Sequence, residues 1–378
     1  MNKLKEQVVS KTEEKVPITA INSPIDFAEK PTFISKSKNA IKMLYKDGFG
    51  SFSHKIKRRI YHHKQFLMRR LFHPNEGQLL RETAKKHFSG GNKLPTLSIV
   101  VTALKLNELV KLCLSKLTTN QIGEIEIVLM NGGDTPIEMS EMPNNLKNVK
   151  IVQDTEVYPA FKFWMENTTG DIMLFIHDDL IINEKGFDLL LRYAFEKDPK
   201  LGLVGFVGSD ELNEKGSRGW GTTSNFMGKT YSYEGKTWVG SKAELWGSRY
   251  DALTPAVMID GCAMAIRRSV WNKLGFHRNQ SMYYYYDRLM CCRVLEAGYR
   301  IATLGLDCDH ISNQTASKQI KYHHKIHMLC EKYNVPPVTD VTGNVNWDIS
   351  LHAEAKRRFL REWRDEKHFI PRKIGQWL

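Results

Sequence analysis

Between residues 95 and 210 the chain alternates short apolar runs with longer segments of helical periodicity. Runs that stay apolar at consecutive positions predict strands buried on both faces of a sheet, and such sheets are largely parallel. The predicted strands are 97–104, 125–131, 149–154, 171–176 and 202–209, and the predicted helices are 107–117, 160–167 and 186–196. The pattern therefore predicts an α/β domain with a mostly parallel central sheet flanked by helices.

The chain changes character after residue 209. Residues 216–240 are rich in Gly and Trp, which is typical of loops and a hairpin that shape a pocket. Strands are predicted at 257–268 and at 300–307, and the second strand runs on to end in CDH at 308–310. A helix is predicted from Asp287 to Ala297.

Both ends of the chain are predicted to be extensions of the α/β domain, which we place at 95–312. Residues 1–94 form a basic, partly helical N-terminal extension, and residues 313–378 form a helical C-terminal extension. Gly-Gly and Pro within KHFSGGNKLP predict a linker at 86–95.

The N-terminal extension carries a strongly basic segment. Eleven Lys and Arg residues lie between Lys36 and Arg70, against one acid. A helix over 55–72 would place four apolar residues on one face, namely Ile56, Ile60, Leu67 and Leu71. A basic amphipathic helix of this kind binds the surface of an anionic membrane without spanning it. The alternative is a helix packed on the α/β domain with a solvated basic face.

Composition narrows the class of protein. The chain has 378 residues, of which 42% are hydrophobic, so it can bury a sizeable core and is not disordered throughout. The formal net charge of +13 favours an anionic partner.

No apolar run is long enough to span a bilayer, and the first residues lack the apolar core of a signal peptide. Six cysteines without paired CxxC spacing predict reduced thiols in the cytoplasm rather than disulfides or structural zinc.

A histidine and two carboxylates follow the apolar strand 171–176. They are His177, Asp178 and Asp179, and they lie where open α/β sheets bind ligands, at the carboxyl end of a strand. Mg²⁺ and Mn²⁺ prefer carboxylate oxygens, so a divalent metal holding a diphosphate would neutralise the pair. Taken alone, Asp-Asp after a strand is a weak signal, because such a pair is often a helix cap.

Five markers in order carry a resemblance to a known family. They are the strand SIVVTAL, the strand and turn IEIVLMNGGD, the motif FIHDD, the segment IDGCAMAIRR and the segment YYYYDRLMCCRVLEAGYR, after which the chain reaches DH. This order resembles the GT-A-fold glycosyltransferases of family 2, the nucleotide-diphospho-sugar transferases. It is most similar to the subgroup with a His-x-Asp strand-end motif and a late YD…R…AGYR motif. The resemblance covers residues 95–312.

The resemblance implies roles on the donor side of a site. Asp179 takes the metal-binding place of the family's DxD-like motif, and His310 would complete the metal site, which would hold Mn²⁺ or Mg²⁺. His177 takes the place of the motif's first Asp and could donate to a ribose or phosphate oxygen, and Asp178 lies between them. Asn131 matches a position near the nucleotide base.

On the acceptor side, the resemblance assigns the general base to Asp287, with Asp260 as the rival. The motif's usual second Asp is Leu289 here. From the residues alone, Asp287 is also compatible with a helix cap and Asp260 with a strand-end turn. The glycine of Asp260-Gly261 would let a ligand approach the backbone. Trp220 and Trp238 either stack on apolar faces of a sugar or pack beneath a loop, and one or two of Tyr283 to Tyr286 line the acceptor pocket.

The function that the resemblance implies is a metal-dependent, inverting transfer of a sugar, of hexosyltransferase type. The donor is a nucleotide-diphosphate sugar and the acceptor is a hydroxyl of a glycan or lipid-linked glycan. We expect the protein in the cytoplasm, peripheral at the inner face of the membrane, and do not expect nucleic acid as a partner. The alternatives are a nucleotidyltransferase, or a glycosyltransferase-like binding protein without catalysis.

Overall fold

A computed structural model describes most of the predicted α/β domain. The described residues are 75–103, 106, 108–132, 135–142, 144–146, 148–153, 161–178, 180–209, 212, 222–224, 229–234, 237–242, 252–274 and 285–312, with single positions at 53, 57, 60, 64, 68, 71, 72, 356 and 357. Side chains are not described at 108, 109, 161–163, 222–242 and 309–312.

Helices and strands alternate through the first half of the domain. The elements are α1 Glu76–Ser89, β1 Leu97–Ala103, α2 Glu108–Asn120, β2 Glu126–Asn131, β3 Lys150–Gln153, α3 Phe161–Glu166, β4 Ile172–His177, β5 Leu180–Ile182, α4 Phe187–Lys197, β6 Leu201–Gly205 and β7 Val207–Ser209. Short 3₁₀ turns lie at Met139–Glu141 and Asn144–Leu146.

The second half has more strands than helices. Its elements are β8 Thr222–Ser224, β9 Lys229–Glu234, β10 Thr237–Lys242, β11 Leu253–Ala256, β12 Met258–Ile259, β13 Ala263–Arg267, α5 Arg268–Leu274, α6 Tyr286–Glu296, β14 Arg300–Leu304 and β15 Cys308–Ser312.

The central sheet has eight strands in the order β11-β14-β6-β13-β4-β1-β2-β3. The four strands β3, β2, β1 and β4 are mutually parallel, and β6 is parallel to β14. Strand β13 lies antiparallel between these two groups, and β11 is an antiparallel edge strand. The predicted α/β class with a mostly parallel sheet flanked by helices is confirmed.

Both faces of this sheet are buried, which is why its strands are apolar at consecutive positions. In β4, Ile172, Leu174 and Ile176 belong to one core cluster, whereas Met173 and Phe175 belong to the cluster on the opposite face. All five side chains are at most 1% exposed. Alternating side chains of a strand point to opposite faces, so a sheet between two layers needs apolar residues at every position.

Helix α1 docks against the domain. Its Arg81 forms an ion pair with Glu184 at 2.6 Å and donates to the carbonyl of Gly305 at 2.9 Å. Helix α1 also packs on α4. The helix continues to Ser89, so it occupies the first residues of the predicted linker, 86–95. The division of the chain at 94 and 312 stays a prediction.

The last predicted strand is divided in two. Strand β14 ends at Leu304 in the central sheet, and β15 begins at Cys308 in a second sheet, whose order is β10-β9-β15-β5. Gly305, Leu306 and Asp307 separate the two strands. Residue 310 therefore lies inside a strand and not at the end of one. A third sheet has the order β12-β7-β8. Within the described part of the chain, no helix has both the length and the apolarity to cross a bilayer.

Candidate active site

The carboxyl edge of the central sheet brings distant parts of the sequence together. Strand β4 ends there at His177. Strand β13 runs antiparallel to β4, with Ala263 opposite Ile176, so the turn that precedes β13 lies at the same edge. The backbone N–H of His177 donates to the carbonyl of Cys262 at 3.1 Å. Open α/β sheets bind their ligands at this edge.

Tyr286 joins these segments to helix α6. Its hydroxyl lies 3.0 Å from Nε2 of His177 and donates to the carbonyl of Gly261 at 3.2 Å. A Cβ atom at Gly261 would lie 2.2 Å from the same hydroxyl. Gly261 was expected to let a ligand approach the backbone; instead, the space beside it holds the tyrosine ring. The glycine is needed because any side chain would collide with Tyr286.

The aromatic core beneath the edge fixes the positions of both rings. Phe175 contacts His177 edge-on, with ring centroids 5.8 Å apart, and contacts Tyr286 in the same way at 6.4 Å. Phe175 stacks in turn on Trp164 at 4.5 Å. Edge-to-face contacts of this kind stabilise one relative orientation of the rings.

Asp287 follows Tyr286 in the first turn of α6 and is 7% exposed. Its Oδ1 accepts the backbone N–H of Arg288 at 2.8 Å and the Nη1 of the same residue at 3.1 Å. Helix α6 begins at Tyr286 and its N-cap position is Tyr285, so Asp287 is not the N-cap. An opposite charge at this distance, together with a helix N-terminus, favours the ionised carboxylate.

Tyr285 holds Arg288 from the other side. Its ring lies 4.3 Å from the guanidinium carbon. Its backbone has φ of 68°, which makes it the one non-glycine residue with positive φ among those the structure describes. Burial raises the pKa of the Tyr285 hydroxyl, so the ring stays neutral. Tyr285 and Tyr286, expected among the residues lining an acceptor pocket, thus contact Arg288 and His177 respectively.

Asp260 lies in the turn between β12 and β13 and is half-buried. Its Oδ1 accepts the backbone N–H of Cys262 at 3.0 Å, and its own N–H donates to Val207 at 2.8 Å. A carboxylate that accepts from the residue two positions ahead forms an Asx turn. This is the strand-end turn considered from the sequence, and it holds Gly261 beside Tyr286.

Asn131 ends β2 and is fully buried. Its amide donates to the carbonyl of Thr135 at 2.7 Å and to Oε1 of Gln153, at the end of β3, at 2.8 Å. Strand β1 separates β2 from β4, so Asn131 lies two strand spacings, or roughly 10 Å, from His177. These contacts indicate that Asn131 shapes the turn at this edge.

The expected metal ligands are only partly described. Asp178 is half-buried in the turn after β4, Asp179 lies outside the described residues, and the side chain of His310 is not described. The backbone of residue 310 pairs with Leu180, the first residue of β5. Among the side chains that are described, no group of three His, Cys, Asp or Glu could hold a metal ion.

Sequence reasoning missed the roles of Tyr286 and Arg288. The sequence signals were present, because an aromatic and a basic residue flank Asp287 directly. Nothing in the sequence, however, indicates that Tyr286 contacts His177, which is 109 positions away. Trp220, Tyr283 and Tyr284 lie outside the described residues, and the side chain of Trp238 is not described.

A cavity of about 500 Å³ lies at the opposite edge of the sheet. It is lined in part by Lys93, Asp171, Arg267 and Arg268. Both arginines already donate to backbone carbonyls, Arg267 to Phe195 at 2.6 Å and Arg268 to Gly170 at 2.7 Å. The two guanidinium groups therefore bind backbone carbonyls near the end of α4 and before the start of β4. This cavity is not the candidate active site.

Comparisons with solved structures find distant similarity. The mannosyltransferase PcManGT from Pyrobaculum calidifontis, in complex with GDP-Man and Mn²⁺, is 12% identical with a TM-score of 0.36, over 82% of this chain and 93% of its own. S. aureus TarS 1-349 is 14% identical with a TM-score of 0.38, over 75% of this chain and 77% of its own. No curated protein matches the sequence.

A family model gives a direct assignment. The model described as "Glycosyltransferase like family" matches residues 137–333, which is more than half of the 378 residues. The matched range includes β4, the turn at Gly261 and helix α6, and β1 and β2 complete the same sheet. The match and the observed α/β sheet agree with the GT-A fold expected from the sequence. The chain therefore belongs to the Glycosyltransferase like family.

Proposed function

We propose that this protein is a metal-dependent, inverting glycosyltransferase of hexosyltransferase type. It transfers a sugar from a nucleotide-diphosphate donor to a hydroxyl acceptor, in the assembly of a polysaccharide, glycolipid or other glycan. The observation that carries the proposal is the contact of His177, Gly261 and Tyr286 at the carboxyl edge of the sheet. This contact joins three sequence motifs beside the buried carboxylate of Asp287.

The donor diphosphate binds beside the end of β4 in this proposal. Asp179 and His310 would hold a Mn²⁺ or Mg²⁺ ion, with Asp178 next to them. The pairing of residue 310 with Leu180 supports this set, since it brings the two backbone segments side by side. When bound, the metal supplies positive charge that neutralises the departing diphosphate. Asn131 supports the nucleotide-binding end of β2 through its contacts with Thr135 and Gln153.

Asp287 acts as the general base. Its carboxylate removes the proton from the acceptor hydroxyl, whose oxygen forms a bond to the anomeric carbon while the bond from that carbon to the diphosphate oxygen breaks. A single displacement inverts the anomeric centre. Arg288 orients the carboxylate through contacts at 3.1 and 3.5 Å. Asp260 is the rival base, and its Oδ1 accepts from Cys262 as the Oδ1 of Asp287 accepts from Arg288.

The basic N-terminal segment 36–72 brings the enzyme to an anionic membrane surface at its cytoplasmic face. Ile60 and Leu71 support this proposal, because both are helical, 63% and 72% exposed, and on the predicted apolar face. Met68 and Phe72 are also helical and exposed. Ile56 and Leu67 lie outside the described residues. Exposed apolar side chains next to basic ones suit the headgroup region of a bilayer. A lipid-linked glycan is then the acceptor class that this placement favours.

A donor screen tests the proposal. UDP- and GDP-sugars with Mn²⁺ are added singly, thermal stability is measured, and each stabilising donor is assayed for release of its nucleoside diphosphate. We expect at least one donor to stabilise the protein and to be turned over. Pyrophosphate release from a nucleoside triphosphate and a sugar phosphate would instead indicate the nucleotidyltransferase. Stabilisation by a donor without turnover on any acceptor would indicate the non-catalytic binding protein.

A further inference from the structure

Helix α1 supplies a side chain that contacts two connections of the α/β domain. Arg81 lies in α1, outside the residues 137–333 that the family model matches. Its Nε and Nη2 donate to the two carboxylate oxygens of Glu184, at 2.6 and 2.9 Å, and Nη2 also donates to the carbonyl of Gly305 at 2.9 Å. A bidentate pair of this kind has a fixed geometry. The guanidinium therefore holds the segment after β5 against the connection between β14 and β15.

Glu184 extends this contact to the residue directly before β15. Its Oε2 also accepts the backbone N–H of Asp307 at 3.0 Å, and its own N–H donates to the carbonyl of Asp307 at 3.1 Å. The N–H of Asn183 donates to the same carbonyl at 2.8 Å. The backbone of Asp307 is thus bound to the segment after β5 by three hydrogen bonds. The carboxylate that accepts one of them is held by Arg81.

The short ladder between β5 and β15 begins at this contact. It has three residue pairs, from Cys308 and Ile182 to residue 310 and Leu180. The other neighbour of β15, strand β9, pairs only with residues 310–312. The start of β15 therefore depends on β5 and on the bonds of Asp307. A slip of one residue would turn every side chain of the strand to the opposite face.

We propose that Arg81 is a positioning residue, which fixes the register of β15 on β5 and so keeps residue 310 opposite Leu180. Residue 310 lies three residues beyond Asp307, which is about 10 Å along a strand. A helix of the N-terminal extension thus acts on the proposed metal site through the backbone of β15. The inference rests on the proposed function only for its consequence at a metal ion, because the register is a property of the protein alone.

Helix α1 is anchored to the domain by other side chains as well. Ala84 is fully buried in the core, and Leu80 packs against the same core. The ring of His87 contacts that of Tyr193 in α4, with centroids 5.3 Å apart. Removing the guanidinium of Arg81 should therefore leave α1 in place and loosen only the segments that it bridges. A variant of Arg81 can for this reason separate positioning from folding.

The register is tested first, by amide hydrogen exchange of the full chain without ligand. Arg81→Met keeps most of the apolar stem and removes the donors. We expect exchange in peptides that cover 180–184 and 307–312 to become about tenfold faster, as the loss of one hydrogen bond to a charged group predicts, with β1 and β4 unchanged. Unchanged exchange in these two segments would overturn the proposal. An equal increase in all peptides would also overturn it, because it would indicate a general loss of stability.

Three further variants sharpen this test. Glu184→Gln should reproduce the change through a different residue, because it removes the charge that Arg81 and the backbone of Asp307 share. Arg81→Lys keeps the charge without the two-pronged donor and should give a smaller increase in the same segments. If Arg81→Met does not fold, these two variants decide. Arg300→Met is the matched control, because Arg300 pairs with Asp198 at 3.1 Å, away from β15. It should leave exchange at 307–312 unchanged.

The consequence for the site is measured by titrating Mn²⁺ in the presence of UDP or GDP, with electron paramagnetic resonance as the readout. Residues that hold metal ligands in place contribute about 10–100-fold to metal affinity, so Arg81→Met should weaken Mn²⁺ binding by at least about tenfold. Arg300→Met should bind as the wild type does. Equal Mn²⁺ affinity of wild type and Arg81→Met would contradict the positioning role. Failure of the wild type to bind Mn²⁺ with either nucleotide would count against the proposed function, whereas the register is decided by hydrogen exchange alone.

Discussion

Replacing Asp287 by Asn removes the proposed base while keeping its shape. The Asn retains Oδ1, which accepts from the backbone of Arg288 at 2.8 Å and from its guanidinium at 3.1 Å. The charge, the ability to take a proton and the acceptor at the Oδ2 position, 3.5 Å from Nη1 of Arg288, are lost. We expect kcat to fall by at least ~10²-fold, which corresponds to about 2.7 kcal/mol of transition-state stabilisation. Donor binding should survive, because the residue faces the acceptor.

The stability cost of this substitution should be much smaller than its effect on the rate. A hydrogen bond to a charged group contributes about 1 kcal/mol more than a neutral one, so Asp287→Asn should lower the free energy of unfolding by about 1 kcal/mol. Asp287→Ala should cost about 2–3 kcal/mol, because it leaves Arg288 without its carboxylate; the 10% and 17% exposure of the two side chains keeps this below the cost of breaking a fully buried pair. Both variants should lose activity equally.

Single-turnover kinetics with the identified donor and thermal unfolding of the same samples check this prediction. Asp198→Asn is the control, since Asp198 forms a similar carboxylate–arginine pair with Arg300 at 3.1 Å, outside the site. It should lose a little stability and no activity. Wild-type kcat in Asp287→Asn would refute the base assignment. If Asp260→Asn is inactive while Asp287→Asn is active, the two roles are reversed.

Four other residues or segments give shorter tests. Asp179→Ala should abolish metal-dependent turnover with the fold intact, and full activity in this variant would remove the metal assignment. The segment 36–72 should bind anionic vesicles at low salt and release them at high salt. Binding that does not depend on salt, or that is equal for anionic and neutral vesicles, would exclude electrostatic attachment. Hydrogen bonds from Thr96 lower the pKa of Asp171, so the ionised carboxylate should stabilise the fold above about pH 4. This stabilisation should be lost as the pH falls below that value, so the free energy of unfolding of Asp171→Asn should decrease less steeply with falling pH than that of the wild type. Burial raises the pKa of the Cys291 thiol, so it should not react with thiol reagents until the protein unfolds, and rapid reaction in the native state would contradict its burial.

The candidate site could be predicted only in part from the sequence. Asp287 was correctly expected near the start of a helix, and His177 at the end of a buried strand. The contact between the two segments through Tyr286 could not be expected, because three adjacent tyrosines precede it and periodicity does not distinguish them. The helix start and the collision at Gly261 select Tyr286, and both are properties of the folded chain.

The sequence by itself determined the central sheet. Strands buried on both faces are apolar at most consecutive positions, and this local pattern marks their bounds to within one or two residues in β1, β2 and β4. The order of the strands, the antiparallel insertion of β13 and the passage of residues 308–312 into a second sheet were decided by tertiary structure. They depend on pairing between strands far apart in sequence, which no local pattern encodes. For the same reason, only the folded chain shows that Gly261 makes room for a tyrosine, and that this tyrosine contacts His177.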